Sequence, residues 1–249
     1  MSELYTYLIR HADDNLILSQ RLSEYISHAP ELEEDLAIAN VALDHLGVAM
    51  HLLEYAAEVQ GQDNTADDLA FMRSEREFTN ALLVEQPNGD FAHIMTRQFF
   101  FDAYQTLLWN SLAQSSDETL AGISAKAAKE AAYHLRHSGG WMIRLGDGTP
   151  ESHGRTQAAI DQLWRYVDEL VTGDDLDRDL AAAGIGIDPG SLKDAWDEQV
   201  DKTLNEATLS RPDDDYQRSG GRTGFHTEHL GHLLGEMQWL QRSHPGLQW

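Results

Sequence analysis

Carboxylates that interrupt apolar stretches are the residues of this sequence with the clearest capacity for chemistry. Asp44 closes a nearly apolar run, Asp102 follows three consecutive phenylalanines, and Glu130 lies about one helical turn before His134. Glu24 is a further candidate in the first predicted helix. A charged side chain on an apolar helix face is costly unless it is paired, metal-bound or functional. These residues therefore predict either a metal site or a buried polar network.

Inward-facing carboxylates on several long helices resemble the metal centre of ferritin-like di-iron carboxylate proteins. Such a centre takes a Glu from each of two helices and a Glu-x-x-His pair from each of two others, because the i, i+3 spacing places both ligands on one face. None of the 18 glutamates has a histidine three residues later. We therefore predict no metal ligands and no catalytic residues. The expected arrangement is a buried network that replaces the metal site, formed by Glu24, Asp44, Asp102, Glu130 and His134.

Within this network, Asp102 and Glu130 are predicted to be buried and to face each other. The alternative is a catalytic, metal-dependent oxygenase component with an unusual ligand set. That set would be Asp44, Asp102, Glu130 and His134. Iron content of the isolated chain separates the two hypotheses.

Long helices must position these residues. Ser2 is a candidate N-cap, and Gly61 is suited to end a helix. The pattern predicts long helices at about 3–28, 31–60, 90–115 and 117–145, followed by shorter ones at about 151–171, 174–183, 188–205 and 227–242. The predicted fold is all-α, a ferritin-like four-helix bundle with extra C-terminal helices. Composition does not shift along the chain, so we predict a single domain over residues 1–249.

Composition excludes several classes of protein. The 249 residues include 42 acidic and 18 basic side chains, for a net charge of −24, and no cysteine. Missing cysteine excludes a disulfide scaffold, a zinc-thiolate site and an iron–sulfur protein. The acidity argues against nucleic-acid binding. With few lysines, it is typical of a halophile surface, which predicts stability that rises with salt; docking of a basic partner is the alternative. No apolar run of 18 residues and no secretory signal are found, so a cytoplasmic protein that does not enter the membrane is predicted.

Several segments carry a resemblance to a known family. They are Leu18–Leu22, His28–Leu32, Asn80–Phe91, Ile123–Ala127, Tyr133–Arg136, Asn205–Leu209, His226–Gly231, Glu236–Arg242 and Pro245–Trp249. Over about residues 7–249 the sequence resembles the PaaC family, the C-type subunits of phenylacetyl-CoA 1,2-epoxidase, within the ferritin-like superfamily. It departs from the family pattern in two acidic stretches, Asp147–Arg155 and Asp174–Asp179, and at His45.

The resemblance implies a non-catalytic structural subunit of a multicomponent monooxygenase of aerobic phenylacetate catabolism. The implied partner is the catalytic, ferritin-like A-type subunit, which holds the di-iron centre, so the chain would act in a hetero-oligomer whose substrate is phenylacetyl-CoA. A reductase with FAD and an iron–sulfur cluster would supply electrons from NADPH, and this chain would hold no cofactor. The resemblance places substrate contacts at Glu77, Phe78, Thr79 and Asn80, and at Arg178, Asp179 and Leu180.

Two C-terminal features invite separate predictions. The loop from Arg218 to Gly224 is basic and glycine-rich, and could contact a CoA phosphate; loop flexibility or subunit docking is the favoured interpretation. The segment from Phe225 to Trp249 is rich in aromatic residues. We expect this segment to be ordered by docking on this chain or on a partner.

Overall fold

A computed structural model describes residues 2–212 and 216–246. Within those residues the chain forms ten α-helices and no strand, so the prediction of an all-α, ferritin-like fold is confirmed. The chain divides into two compact units. The first spans residues 1–87 and 219–249, and the second spans residues 88–218. The single domain remains a prediction.

The first unit is built on two long helices, α1 (Glu3–Ser23) and α2 (Leu32–Gln60), which pack along each other. The Ser2 side chain accepts a hydrogen bond from the Tyr5 N–H and caps α1 as predicted. Gly61, at φ 64°, ends α2 in the left-handed conformation that favours glycine. α1 ends five residues earlier than predicted, because Ser27 adopts φ 75° and donates its N–H to Asp35 at 2.7 Å.

Shorter helices complete the first unit. They are α3 (Ala66–Phe71), a 3₁₀ turn (Glu75–Glu77), α9 (Glu228–Met237) and α10 (Trp239–Ser243). The sequence predicted one last helix, whereas the structure breaks it at Gln238. The Gln238 amide donates to the carbonyls of Ala70 and Arg73, at 3.2 and 3.0 Å. The described part of the C-terminal segment thus docks on this chain, while residues 247–249, including Trp249, lie outside the described residues.

The second unit contains α4 (Phe91–Leu112), α5 (Glu118–Gly146), α6 (Pro150–Leu163), α7 (Asp175–Ala182) and α8 (Lys193–Glu206). Asp90 and Asp117 cap α4 and α5 through their side chains. The predicted helix over 151–171 was wrong beyond Leu163, where two 3₁₀ turns follow. There the carbonyl of Arg165 accepts from the N–H of Arg218 at 2.7 Å, a partner outside the helix.

The long helices differ in how they are buried. α4 is buried along most of its length, and Phe99, Phe100 and Phe101 are fully enclosed. α2 is long and apolar enough to cross a membrane by length and composition, a property that was not predicted from the sequence. That is weak evidence for a span, because the core helices of soluble proteins meet the same criterion. No other helix in the described residues meets it.

Candidate functional site: two buried polar centres

Two consecutive carboxylates of α1, Asp13 and Asp14, are fully buried in the first unit. Arg73 donates to both oxygens of Asp13, with 3.0 Å between Nη1 and Oδ2. Arg222 forms a bidentate pair with Asp14, at 2.9 and 2.8 Å. Such fork geometry is among the strongest arrangements of a charge-assisted hydrogen bond. Each buried negative charge therefore has its own guanidinium partner.

A third buried carboxylate, Glu85, is satisfied by neutral donors and a histidine. Its oxygens accept from the Thr227 backbone and hydroxyl, both at 2.7 Å, and from the Asn80 amide at 2.9 Å. His226 Nδ1 lies 2.8 Å from Glu85, and its Nε2 lies 2.8 Å from the carbonyl of Phe78. Both ring nitrogens of His226 thus face acceptors, an arrangement that favours the imidazolium form.

Arg21 joins the same region, because its guanidinium donates to the Glu85 carbonyl at 2.8 and 3.1 Å and to the Glu24 carboxylate at 2.9 Å. We call the seven charged residues Asp13, Asp14, Arg21, Arg73, Glu85, Arg222 and His226 the α1 ionic network. The carboxylate of Glu24 is half-buried at the edge of this network.

The α1 ionic network satisfies the backbone of a buried, non-helical segment, residues 78–86. The Thr79 N–H donates to Asp13 at 2.8 Å and the Ala81 N–H donates to Asp14 at 2.7 Å. The carbonyl of Thr79 accepts from Arg222 at 3.0 Å. A buried backbone that lies outside regular secondary structure needs such partners. The network therefore fixes this segment to α1.

Electrostatics in the network follow from burial and pairing. Burial raises the pKa of Asp14 above the ordinary carboxyl value, against the opposing charge and hydrogen bonds of Arg222. Burial alone would lower the pKa of His226, but its hydrogen bond to Glu85 and the charge of that carboxylate outweigh it, and the pKa is raised. His226 is therefore poised to carry a positive charge beside Glu85.

The first group of predicted substrate contacts lies in this region. Phe78 and Asn80 are fully buried, and Thr79 is held by Asp13. The Glu77 side chain accepts from the Ser74 hydroxyl and N–H, and these hydrogen bonds lower its pKa. The structure thus gives each residue a partner or a packed position within the chain, and the substrate role stays a prediction.

The second group, Arg178, Asp179 and Leu180, belongs to α7 in the other unit. Arg178 and Asp179 are exposed, and Arg178 pairs with Asp175 at 2.7 Å, whereas Leu180 is buried. For these residues too, the substrate role stays a prediction.

In the glycine-rich loop over residues 218–224, the central Arg222 forms an ion pair within this chain. Arg222 is bound to Asp14, and its side chain is only 12% exposed. Gly224, at φ 75°, approaches the carbonyl of Arg76 too closely for any Cβ atom. Arg222 is thus occupied by a carboxylate of this chain rather than open to a phosphate, and loop flexibility or subunit docking stays a prediction.

The second polar centre surrounds Asp102 on α4, which is 1% exposed. Its oxygens accept from the Gln98 amide and the Ser138 hydroxyl, both at 2.7 Å. His134 is buried on α5, the helix that also carries Ser138. Burial raises the pKa of Asp102 to about 6, against the opposing charge of His134 and the two hydrogen bonds. We call Gln98, Asp102, His134 and Ser138 the Asp102 centre.

The structure corrects other parts of the predicted network. Glu130 was predicted to be buried and to face Asp102, but it is half-buried and lies 3.9 Å from the exposed Lys126. Asp44 was predicted to face inward, but it is half-buried and the next residue, His45, is buried instead. His45 Nδ1 lies 2.8 Å from the Asn15 side-chain oxygen. Successive residues of a helix point about 100° apart around its axis. Because α2 is apolar along most of its sequence, the sequence does not define whether Asp44 or His45 faces inward.

The comparisons with known proteins agree with the resemblance. Residues 1–249 match a family model described as "Phenylacetic acid catabolic protein". The chain is similar to the C-type subunit of "1,2-phenylacetyl-CoA epoxidase" of Escherichia coli (strain K12), with 53% identity over 249 residues that cover 100% of both proteins. The chain therefore belongs to the phenylacetic acid catabolic protein family.

Proposed function

We propose that this chain is a non-catalytic structural subunit of a multicomponent phenylacetyl-CoA 1,2-epoxidase. It would act in a hetero-oligomer, as a single ferritin-like domain that stabilises the di-iron catalytic subunit. In this proposal the chain holds no cofactor of its own, and the reductase supplies electrons from NADPH through FAD and an iron–sulfur cluster. Full-length identity of 53% to a relative named as the C-type subunit supports the assignment.

One structural observation carries the non-catalytic part of the proposal. Asp13, Asp14 and Glu85, the buried carboxylates of the α1 ionic network, are already held by Arg73, Arg222 and His226. A carboxylate that neutralises a guanidinium has little capacity left to ligate a metal, because the nearby cation repels the ion. Such residues stabilise a fold, which is the property that a supporting subunit needs.

Asp102 adds a second argument against the alternative of an unusual ligand set. Its hydrogen bonds come from an amide and a hydroxyl, and burial opposes its ionised form. The two other carboxylates of that set, Asp44 and Glu130, are half-buried. A di-iron centre needs several ionised, inward-facing carboxylates. The geometry therefore favours the structural role.

Iron analysis tests the proposal. The chain purified alone is expected to contain no stoichiometric iron, and the complex with the catalytic subunit is expected to contain iron in proportion to that subunit. Epoxidation of phenylacetyl-CoA should require both chains. Two irons per chain in the isolated protein would contradict the structural role, and failure to form a complex with the catalytic subunit would contradict the proposed assembly.

A further inference from the structure

The helix α2 presents a second apolar face that is exposed. Its large apolar side chains are Leu32, Leu36, Leu43, Leu46 and Met50, with exposed fractions of 69, 56, 63, 45 and 45%. These five residues, which we call the α2 stripe, fall within an arc of about 80° at 3.6 residues per turn. They extend for about 27 Å along the helix. The opposite side of α2, with Ile38, His45 and Leu52, is buried.

Spacing in the α2 stripe is that of a helix–helix seam. With Ala39 included, successive stripe residues are separated by four, three, four, three and four positions. This alternation is the heptad pattern by which one helix packs along another. The exposed side chains together offer an apolar area of about 500 Å², at the upper end for the patches of a monomer, and such patches mark interaction sites.

Charge decides which kind of chain fits the α2 stripe. α2 contains six carboxylates, Glu33, Glu34, Asp35, Asp44, Glu54 and Glu58, and neither lysine nor arginine. A second copy of the chain would bring only further carboxylates to the seam, and each copy carries a net charge of −24. An anionic membrane surface would be repelled for the same reason. The complementary surface is an apolar helix face flanked by Lys and Arg.

The C-terminal segment is the competing surface, because Trp239 and Leu240 are 63 and 39% exposed. Its helices are already docked on this chain through Gln238 and Arg242, which donate to carbonyls of residues 70–73. Among the described residues of this segment, Trp239 and Leu240 are the only exposed large apolar residues next to each other, and they lie on α10, a helix of five residues. The α2 stripe is longer and continuous, so it is the stronger candidate for a partner surface.

We infer that the α2 stripe is the seam on which a helix of a different chain packs, with apolar residues at heptad spacing and basic residues beside them. The inference rests on the proposed function, since it takes that chain to be the catalytic subunit of the epoxidase. The helix would cover the exposed leucines, and its cations would lie beside Glu33 and Asp35 at the start of α2.

Equilibrium binding of full-length chains to the purified catalytic subunit tests the inference. Leu36→Ser with Leu43→Ser is expected to weaken binding at least about tenfold, because these residues lie within the proposed seam. Trp239→Ser with Leu240→Ser is the matched control and is expected to bind like the unaltered chain. Circular dichroism and thermal melting establish that each variant is folded. Glu33→Lys should slow association, with a smaller effect at high salt.

The outcomes separate the inference from the proposed function. If the unaltered chain does not bind, the proposed function fails; if it binds and the stripe variant binds equally well, the inference alone is overturned. Loss of binding only in the Trp239 and Leu240 variant would also overturn it, in favour of the C-terminal surface. Sedimentation and vesicle flotation of the chain alone complete the test. If the unaltered chain self-associates and the stripe variant does not, the stripe is assigned to a second copy and the inference is overturned. If the unaltered chain binds phosphatidylcholine vesicles and the stripe variant does not, the stripe is assigned to a membrane and the inference is likewise overturned.

Discussion

The α1 ionic network and the Asp102 centre bury carboxylates by different means. Asp13 and Asp14 each face an arginine, and the paired charges hold a non-helical segment against α1. Asp102 is held by an amide and a hydroxyl, and its pKa is raised to about 6. A buried carboxylate of an apolar helix can thus be held by an arginine that is distant in sequence, or by neutral hydrogen-bond donors such as an amide and a hydroxyl.

The largest expected effect comes from removing a cation of the α1 ionic network. Arg222→Ala should lower the free energy of unfolding by about 3–5 kcal/mol at pH 8, because Asp14 is left buried without its partner. The loss should be smaller at pH 5 than at pH 8, because removing the cation raises the pKa of Asp14 further and a protonated carboxyl needs no cation. Urea denaturation at both pH values measures it.

The control for this prediction is Arg178→Ala, because Arg178 forms an exposed ion pair with Asp175. Its effect should stay within about 0.5 kcal/mol. Adding Asp14→Asn to Arg222→Ala should recover part of the lost stability, since the two residues act as a pair. Equal losses in the Arg222 and Arg178 variants would contradict the network.

At the Asp102 centre, a substitution is expected to raise the free energy of unfolding rather than lower it. The folded-state pKa of about 6 lies above the ordinary value of 3.8, so the stabilising effect of this group is present below pH 4 and lost as pH rises through 6. Asp102→Asn should therefore match the unaltered chain near pH 4 and exceed its unfolding free energy by up to about 3 kcal/mol at pH 8. Asp161→Asn, at an exposed carboxylate of α6, serves as the control. A variant that is destabilised equally at both pH values would refute the raised pKa.

A smaller, pH-dependent effect is expected at His226. Its folded-state pKa is raised above 6.5, so its contribution is fully present below pH 6.5 and lost as pH rises through the folded-state value. His226→Gln should cost about 2 kcal/mol at pH 6, where a charge-assisted hydrogen bond is lost, and less at pH 9. His51→Gln, at an exposed histidine beside Glu54, is the control. A cost that grows with pH would mean that His226 is buried in its neutral form.

Helix caps made much of the fold predictable, whereas the site depended on contacts distant in sequence. Ser2 and Gly61 marked helix ends because capping is local. Asp14 and Arg222 are 208 positions apart, and periodicity carries no information about such a pair. The end of α6 was missed for the same reason, since the Arg165 carbonyl bonds to a residue beyond position 210.

Only part of the predicted network is buried: Asp102 and His134 are buried, whereas Asp44 and Glu130 are half-buried. Asp102 and His134 could be singled out from the sequence because each interrupts a helix face of apolar or small residues. Asp13 and Asp14 were overlooked, although two adjacent carboxylates within an otherwise buried helix are a usable signal. They show that charge in a buried helix points to a cation elsewhere in the chain as readily as to a metal.

Turnover by the assembled complex tests the central claim most directly. His134→Ala should lower the stability of this chain, because it removes a buried side chain from the Asp102 centre, yet leave the rate of epoxidation per assembled complex nearly unchanged. Size-exclusion chromatography would isolate the intact complex before the rate is measured. A complex that assembles normally with His134→Ala but no longer forms epoxide would contradict the structural role and favour a catalytic one.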